Sequence, residues 1–184
     1  GMVHQHFKVI EVMTAAENVL LGQKGGLLFK KEETAKISAI SEQYHLQVDL
    51  DKIVGEMSVG EKQNLEILKV LYRGARILIL DEPTAVLTPQ ETERLFQIMR
   101  KMKENGCAVI FISHKMNEVM EITDRVTVLR KGTTVQTLNT SETNPKELTE
   151  LMVGRKMDLS VVRLEQARGE LAMDVKDLTV VGVD

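Results

Sequence analysis

Residues 77–82, Ile-Leu-Ile-Leu-Asp-Glu, place two carboxylates directly after a short apolar run. A second apolar run, residues 108–112, leads into Ser113 and His114, and each run lies between segments with helical patterns. Short, continuously apolar strands that alternate with helices are typical of a parallel sheet that is buried on both faces. The sequence therefore predicts an α/β fold with covered parallel strands.

Helix starts are marked by capping-box patterns, in which Ser, Thr or Asn precedes Glu by three residues. The four predicted boxes are Thr14 with Glu17, Ser58 with Glu61, Thr88 with Glu91, and Asn144 with Glu147. Pro89 and Pro145 take the first helical position, where a missing N–H costs nothing. An apolar face at residues 95, 98, 99 and 102 predicts a helix that Gly106 ends, and residues 37, 40 and 44 indicate another.

The later part of the chain predicts a hairpin, followed by a loss of pattern. Residues 125–129 and 133–138 have strand character around Lys131-Gly132, a pair that favours a tight turn. Residues 155–169 lack clear periodicity and are predicted to be a linker. Residues 171–180 then alternate in the manner of a new edge strand.

Composition and charge exclude several classes of protein. The net charge of the 184 residues is −3 and the basic residues are spread along the chain, so no basic field favours nucleic acid. Cys107 is the single cysteine, which excludes a disulfide framework and fits a reducing cytoplasm; it is expected to be a buried core thiol. No apolar run approaches membrane-spanning length and no signal-peptide pattern is visible, so a role at a membrane would require a partner.

Polar side chains follow the ends of three predicted strands. Asp81 and Glu82 follow one, His114 follows another, and Gln5 follows an apparent strand end near residue 3. Taken one at a time, each position has a simpler interpretation. An acidic pair before Pro83 is more often part of a turn than of a site, a lone His is more often a hydrogen-bonded core residue, and a lone Gln is more often a polar surface residue. Open parallel sheets bind ligands beyond the carboxyl ends of their strands, where two carboxylates can hold Mg²⁺ and orient a water. Together, the four positions predict a polar site at one edge of the sheet.

A second candidate site lies at residues 57–61, Met-Ser-Val-Gly-Glu, before the helical segment 62–73. A helix N-terminus with a Ser hydroxyl, and a Gly that lets the backbone come close, can bind an anion. The structural alternative is that Ser58 and Glu61 simply cap the helix. Both interpretations can hold, because Ser58 could cap in one state and meet a phosphate in another.

In this order and spacing, the residues from Gln5 to His114 resemble the ATP-binding subunits of ABC transporters, and this implies a P-loop NTPase-like (RecA-like) core. The matching motifs are a Q-loop at Gln5, a variant LSGGQ signature at residues 57–61, a Walker B strand with its catalytic Glu at residues 77–82, a D-loop at Ala85, Val86, Leu87 and Thr88, and a switch histidine at His114. Residues 81–90 and 150–155 are similar to the first half of the tandem ATPases of sugar and nucleoside importers.

The resemblance implies a role for each site residue, with ATP and Mg²⁺ as cofactors. Asp81 would hold Mg²⁺, and Gln5 would touch Mg²⁺ or the attacking water and sense the membrane subunit. Glu82 would polarise that water, and His114 would contact the γ-phosphate. The signature residues that would meet the nucleotide held by the opposite half are Ser58, Gly60 and Glu61. Such phosphoryl transfer depends on positioning and charge stabilisation.

The resemblance also implies a division of the chain and a set of partners. Residues 1–154 would form a partial ATPase domain, with a helical subdomain at about 14–73 and the rest of the core at 74–154. Residues 155–169 would be a linker and residues 170–184 the start of a second ATPase domain. Partners would be transmembrane permease subunits, a second ATPase half and, indirectly, an extracytoplasmic solute-binding protein. The protein would be cytoplasmic, peripheral on the inner face of the cell membrane, and would power import of a sugar or nucleoside.

The sequence departs from the family at the phosphate-binding loop. No G-x-x-x-x-G-K-[ST] occurs, and Lys24-Gly25-Gly26 is predicted to be a loop between helices. The family carries the phosphate-binding loop upstream of the Q-loop, so we expect it before residue 1, and we expect these 184 residues alone to be inactive. The strand lost with it would leave residues 77–80 or 108–112 with an unpaired edge, which predicts self-association.

Two smaller departures concern the signature and the D-loop. Glu61 replaces the final Gln of the signature and brings a negative charge near a phosphate. Thr88 replaces the usual D-loop Asp; both residue types cap helices well. Two other functions stay open: a non-hydrolysing fragment that docks on the membrane subunit, and a non-transport ABC ATPase. Long coiled-coil arms or basic stretches would favour the latter, and the sequence has neither.

Overall fold

The computed structural model describes residues 1–5, 7–22, 31–155, 173–177 and 179. Its first sheet has three parallel strands, with the second strand in the middle. Because the strands are parallel, their carboxyl ends meet at one edge, as the α/β prediction requires. The strands are β1 (Met2–Val3), β2 (Ile77–Asp81) and β3 (Ala108–Ile112).

The helices lie between and beside these strands. The segment predicted to be helical at residues 62–73 begins three residues earlier, and the helix after Pro89 ends close to Gly106, whose φ of 77° is readily adopted by glycine. The helices of the described residues are α1 (Ala15–Leu20), α2 (Lys31–Gln43), α3 (Val59–Tyr72), α4 (Pro89–Glu104), α5 (Met116–Ile122) and α6 (Pro145–Val153). None of them is long and apolar enough to cross a membrane.

Three of the four predicted capping boxes are complete, at Thr14, Ser58 and Thr88. The prediction for Asn144 is correct for only one of its two bonds. Asn144 accepts from the backbone N–H of Glu147 at 3.0 Å, but the Glu147 carboxylate does not return to Asn144. It accepts instead from the hydroxyl of Thr143, at 2.8 Å. The Thr143 hydroxyl therefore donates to the Glu147 carboxylate in place of the predicted donor, the backbone N–H of Asn144.

The predicted hairpin is present as β4 (Arg125–Arg130) and β5 (Thr133–Asn139). The turn residues Lys131 and Gly132 have φ values of 50° and 78°. Two successive positive φ values are what a two-residue hairpin turn needs to match the twist of its strands. The hairpin packs with α5 and α6 in a small second core around Val119, Val128 and Leu148.

One face of the parallel sheet is buried, and the other is not. Leu78 and Leu80 are fully buried in the main core, and Phe96 of α4 meets Phe111 of β3 edge to face with ring centroids 6.2 Å apart. The opposite face carries half-exposed apolar side chains. They are Ile77, Ile110 and Ile112. The prediction that the strands are covered on both faces is therefore wrong, because an open cleft lies over the second face.

That cleft has a volume of about 990 Å³ and lies between β3, α5 and β4. Its lining is mainly apolar and includes Ile110, Val119 and Val128. Among the described residues β3 pairs with β2 alone, whereas β2 is paired on both sides. The sequence predicted an unpaired edge on either β2 or β3. Among the described residues, β3 has such an edge and β2 does not.

We expect the 184-residue chain to self-associate through this edge, because unpaired strand edges and apolar surface favour pairing with another chain. Light scattering during gel filtration should show a mass that rises with concentration. Ile110→Lys should lower that mass, since it puts a charge on the exposed side of β3. Val12→Lys is the control, since Val12 is 84% exposed and does not line the cleft. A single monomeric species that melts cooperatively would contradict the expectation.

Several sequence-based predictions fall outside the described residues. They are the loop at Lys24-Gly25-Gly26 and nearly all of the linker at 155–169. Of the strand predicted at 171–180, residues 173–177 and 179 are described and lie in no strand, and the others are outside. The division into a partial domain, a linker and the start of a second domain therefore stays a prediction.

Candidate active site

The backbone turns sharply where β2 ends. Asp81 is the last residue of β2 and lies opposite Ile112 of β3. The N–H of Glu82 donates to the carbonyl of Ile112 at 3.0 Å and extends the ladder by one bond. Glu82 then adopts a φ of +47°, a left-handed conformation that costs a non-glycine residue about 1–3 kcal/mol. Such strain is concentrated at functional sites, and here it determines where the Glu82 carboxylate lies.

The Glu82 carboxylate contacts the His114 imidazole. Nδ1 of His114 lies 2.8 Å from Oε1 of Glu82. Because a carboxylate oxygen accepts, this contact assigns the proton to Nδ1. The His114 side chain is 66% exposed, so the ring remains accessible to a ligand. The ends of β2 and β3 thus bring together two residues that are 32 positions apart in the sequence.

Gln5, Asp81 and Glu82 line one small cavity at the same edge. Its volume is about 30 Å³. A site needs roughly 10–15 Å³ to hold a water, so this cavity has room for a water or a small ion. Its carboxylate and amide oxygens are the ligands that Mg²⁺ prefers. Among the described residues, no group of three His, Cys, Asp or Glu is placed to hold a metal ion.

Gln63 of α3 lines this cavity as well, although no sequence pattern predicted it as a site residue. Its side chain is almost completely buried, and Nε2 has no hydrogen-bond partner among the described residues. The position gives little signal in the sequence, because a Gln on the second turn of an amphipathic helix usually faces solvent.

At the N-terminus of α3, the capping interpretation of the signature residues is what the structure shows. The Ser58 hydroxyl accepts from the N–H of Glu61 at 3.2 Å, and the Glu61 carboxylate accepts from the N–H of Ser58 at 2.7 Å. Lys52 lies against the same carboxylate, at 2.8 and 3.0 Å. The bonds from Lys52 and then Ser58 lower the pKa of Glu61. The anion-binding role of Ser58 and Gly60 stays a prediction, and Lys52 now offsets the charge that Glu61 brings.

Gly60 lies close to Glu91 in the first turn of α4, just after the predicted D-loop. A Cβ on Gly60 would lie 2.5 Å from Oε1 of Glu91, and Glu91 is held by its capping box with Thr88. Between Glu82 and Thr88 the chain makes a turn, in which Ala85 and Val86 are exposed. Leu87 packs partly against the main core. The absence of a side chain at Gly60 therefore lets the predicted signature approach the Thr88–Glu91 cap, which follows the predicted D-loop.

Cys107 is buried, as expected, and its burial raises the pKa of the thiol. A raised pKa keeps the thiol protonated at neutral pH and so makes it a poor nucleophile. It therefore has a packing role at the start of β3.

A parallel sheet with an acidic pair and a histidine at its carboxyl edge has the layout of an α/β protein that binds a ligand beyond its strand ends. Solved structures agree with this class. One is titled as a nucleotide-free ATP-binding cassette from an ABC transporter, with a TM-score of 0.67 at 21% identity, over 82% of this chain and 63% of that one. Another is titled as a dimeric ATP-binding cassette in a post-hydrolysis state bound to ADP and Pi, with a TM-score of 0.62 at 24% identity, over 76% and 62% of the two chains. At these identities they show the fold.

Sequence comparisons give the family. The model of the ABC transporter family matches residues 1–85. The nucleoside import ATP-binding protein NupA of Lactococcus lactis is 43% identical over 98% of this chain. The guanosine import ATP-binding protein NupO of Bacillus subtilis is 45% identical over 98%, and the ribose import ATP-binding protein RbsA of Hahella chejuensis is 42% identical over 96%. Residues 1–85 therefore belong to the ABC transporter family, and nearly the whole chain is similar to import ATP-binding proteins. The chain spans 36% of the length of each of these three relatives.

Proposed function

We propose that this chain is part of an ATP-hydrolysing subunit that powers the import of a sugar or nucleoside by an ABC transporter. The observation that carries the proposal is the contact between Glu82 and His114 beside Asp81, at the carboxyl edge of the parallel sheet. The relatives named above, which are import ATP-binding proteins for nucleosides, guanosine and ribose, support the class of solute.

The proposed chemistry is divided among the residues of this edge. Glu82 accepts a hydrogen bond from the attacking water. This bond orients a lone pair of the water oxygen towards the γ-phosphate. His114 donates from Nδ1–H to Glu82 and, in its doubly protonated form, donates from Nε2–H to a γ-phosphate oxygen. Both roles depend on fixed positions, and positioning with charge stabilisation supplies most of the catalysis in phosphoryl transfer. The strained turn at Glu82 keeps its carboxylate in place before substrate arrives.

Asp81 and Gln5 are the residues that would hold Mg²⁺, because both line the small cavity next to Glu82 and both supply oxygen ligands. Bound Mg²⁺ would neutralise charge on the phosphate oxygens. Ser58 and Gly60, at the N-terminus of α3, would meet the nucleotide held by a second ATPase half. In that state the Ser58 hydroxyl exchanges its bond with the Glu61 N–H for one with a phosphate oxygen.

The partners in this proposal are transmembrane permease subunits, a second ATPase half and, indirectly, a solute-binding protein. Residues 14–52, which contain α1 and α2, would face the permease. The subunit would work on the cytoplasmic side, peripheral to the membrane. The import function of the relatives NupA and RbsA supports a membrane partner.

The direct test is phosphate release from Mg-ATP by the extended protein, meaning these 184 residues together with whatever coding sequence flanks them in the gene. We expect steady release that stops when EDTA removes Mg²⁺. We expect the 184 residues alone to release none, and Mg-ATP to leave their melting temperature nearly unchanged. Binding of the extended protein to permease membranes without any release would support the non-hydrolysing docking function instead.

A further inference from the structure

We propose that Thr84, Lys115 and Glu118 form a positioning clamp that holds His114 against Glu82 during ATP hydrolysis. The proposal rests on the proposed function, since it assigns these three residues to the same reaction. Sequence analysis gave none of them a role in the site, although Thr84 lies within residues 81–90, which carry part of the family resemblance. They act through Glu82 and His114 and do not themselves contact the reacting atoms.

The three side chains form a closed ring of contacts. The ammonium of Lys115 donates to the backbone carbonyl of Thr84 at 2.9 Å and to its hydroxyl at 3.3 Å. That hydroxyl donates to Oε2 of Glu118 at 2.5 Å. Oε1 of Glu118 lies 3.1 Å from the Lys115 ammonium. The Thr84 hydroxyl therefore accepts one bond and donates another, and the lysine and glutamate charges are paired.

The ring joins the two turns that carry the active-site pair. Thr84 is two residues after Glu82, and Lys115 directly follows His114. The β2–β3 ladder ends at the bond from the Glu82 N–H to the Ile112 carbonyl. Beyond it, in the part of the chain that the structure describes, the turns are linked by the Glu82–His114 contact and by this ring. Without the ring, the exposed His114 would be held by a single contact.

Burial distinguishes this ring from an ordinary surface ion pair. Thr84 is 2% exposed and the Glu118 side chain is 15% exposed, whereas surface pairs contribute little because solvent screens them. On the same helix, Glu121 pairs with Arg100 at 3.0 Å and is 49% exposed. α5 therefore carries one partly buried glutamate that contacts Thr84 and Lys115 and one exposed glutamate that pairs with Arg100, and the exposed one supplies a control.

The test measures ATP hydrolysis by the Thr84→Val variant of the extended protein. Thr84→Ser, which keeps the hydroxyl, is the conservative variant expected to retain activity. Valine keeps the shape and removes the hydroxyl, so we expect kcat to fall roughly 10- to 100-fold, since small misplacements of reacting groups cost this much. The KM for ATP should stay close to that of the wild type. Thr84→Ser should keep the wild-type kcat, and the control Glu121→Gln should do the same.

A merely structural role is excluded by combining Thr84→Val with His114→Ala. If the clamp acts through His114, Thr84→Val slows the His114→Ala protein no further, because residues that act as a unit are not additive. Losses that multiply, or a wild-type kcat in Thr84→Val, would overturn the clamp. If Thr84→Val fails to fold, Lys115→Met is measured in the same way, since the Lys115 side chain is 40% exposed.

The same assay separates the clamp from the proposed function. Hydrolysis by the wild type, together with loss in Glu82→Gln, would support the proposed function whatever Thr84→Val does. If the wild type hydrolyses and Thr84→Val is unaffected, the clamp alone is wrong. If the wild type does not hydrolyse ATP at all, the proposed function and the clamp are both wrong.

Discussion

Glu82→Gln in the extended protein is expected to lower the rate of ATP hydrolysis roughly 10²–10⁴-fold, the usual contribution of a positioned general base. Glutamine keeps the shape of the side chain and an oxygen that can accept from Nδ1 of His114, where the wild-type contact is 2.8 Å. The substitution therefore removes the charge that polarises the water and preserves the arrangement of the pair. ATP should still bind, and gel filtration should recover protein with ATP, and not ADP, bound.

The control for this variant is Glu93→Gln on α4. Glu93 is 52% exposed and pairs with Arg100 at 3.4 Å, so the same chemical change there should leave hydrolysis at the wild-type rate. Phosphate release and retained nucleotide are measured on both variants. Brisk hydrolysis by Glu82→Gln would remove Glu82 from its proposed role.

His114→Ala is expected to reduce kcat roughly 10²–10³-fold, which is the loss found when one donor that stabilises a transition state is removed. The effect has two sources in this structure. The γ-phosphate loses the ring that would contact it, and Oε1 of Glu82 loses its hydrogen-bond donor. The ring is 66% exposed, so its removal should change the melting temperature little.

The control for His114→Ala is His45→Asn, which removes another exposed imidazole, in the loop after α2. Asparagine suits that position because His45 has a φ of 56°, a region that asparagine tolerates. Initial rates at saturating Mg-ATP provide the comparison. A wild-type kcat in His114→Ala, or an equal loss in His45→Asn, would contradict the assignment.

The edge of the sheet was predictable because it depends on short, local patterns. The apolar runs at 77–80 and 108–112 locate β2 and β3, and parallel pairing then puts the residues after them at one edge. The helix starts at Ser58 and Thr88 were equally predictable, since a capping box involves residues only three positions apart.

What could not be predicted depends on contacts between distant parts of the chain. The pair Lys115 and Glu118 has helical i,i+3 spacing, but nothing in the sequence shows that Thr84, 34 positions from Glu118, completes the ring. Lys52 similarly reaches Glu61 from the loop before α3. The φ of +47° at Glu82 is imposed by the turn, because glutamate has no preference for that region.

The prediction of a sheet covered on both faces failed for a related reason. A continuous apolar run such as residues 108–112 shows that both sides of a strand suit burial, but it does not show which elements are present to cover them. In the described residues, Ile110 and Ile112 face the cleft between β3, α5 and β4 and stay half exposed. The apolar pattern is thus a property of the strand, whereas coverage depends on the rest of the fold.

The most direct test of the proposed site is the rate of Mg-ATP hydrolysis in a double-mutant cycle of Glu82→Gln and His114→Ala in the extended protein. The 2.8 Å contact between the two side chains predicts that they act as a unit. The double variant should therefore lose clearly less activity than the product of the two single losses. Losses that multiply, or a single variant at the wild-type rate, would contradict a joint role of Glu82 and His114 in hydrolysis.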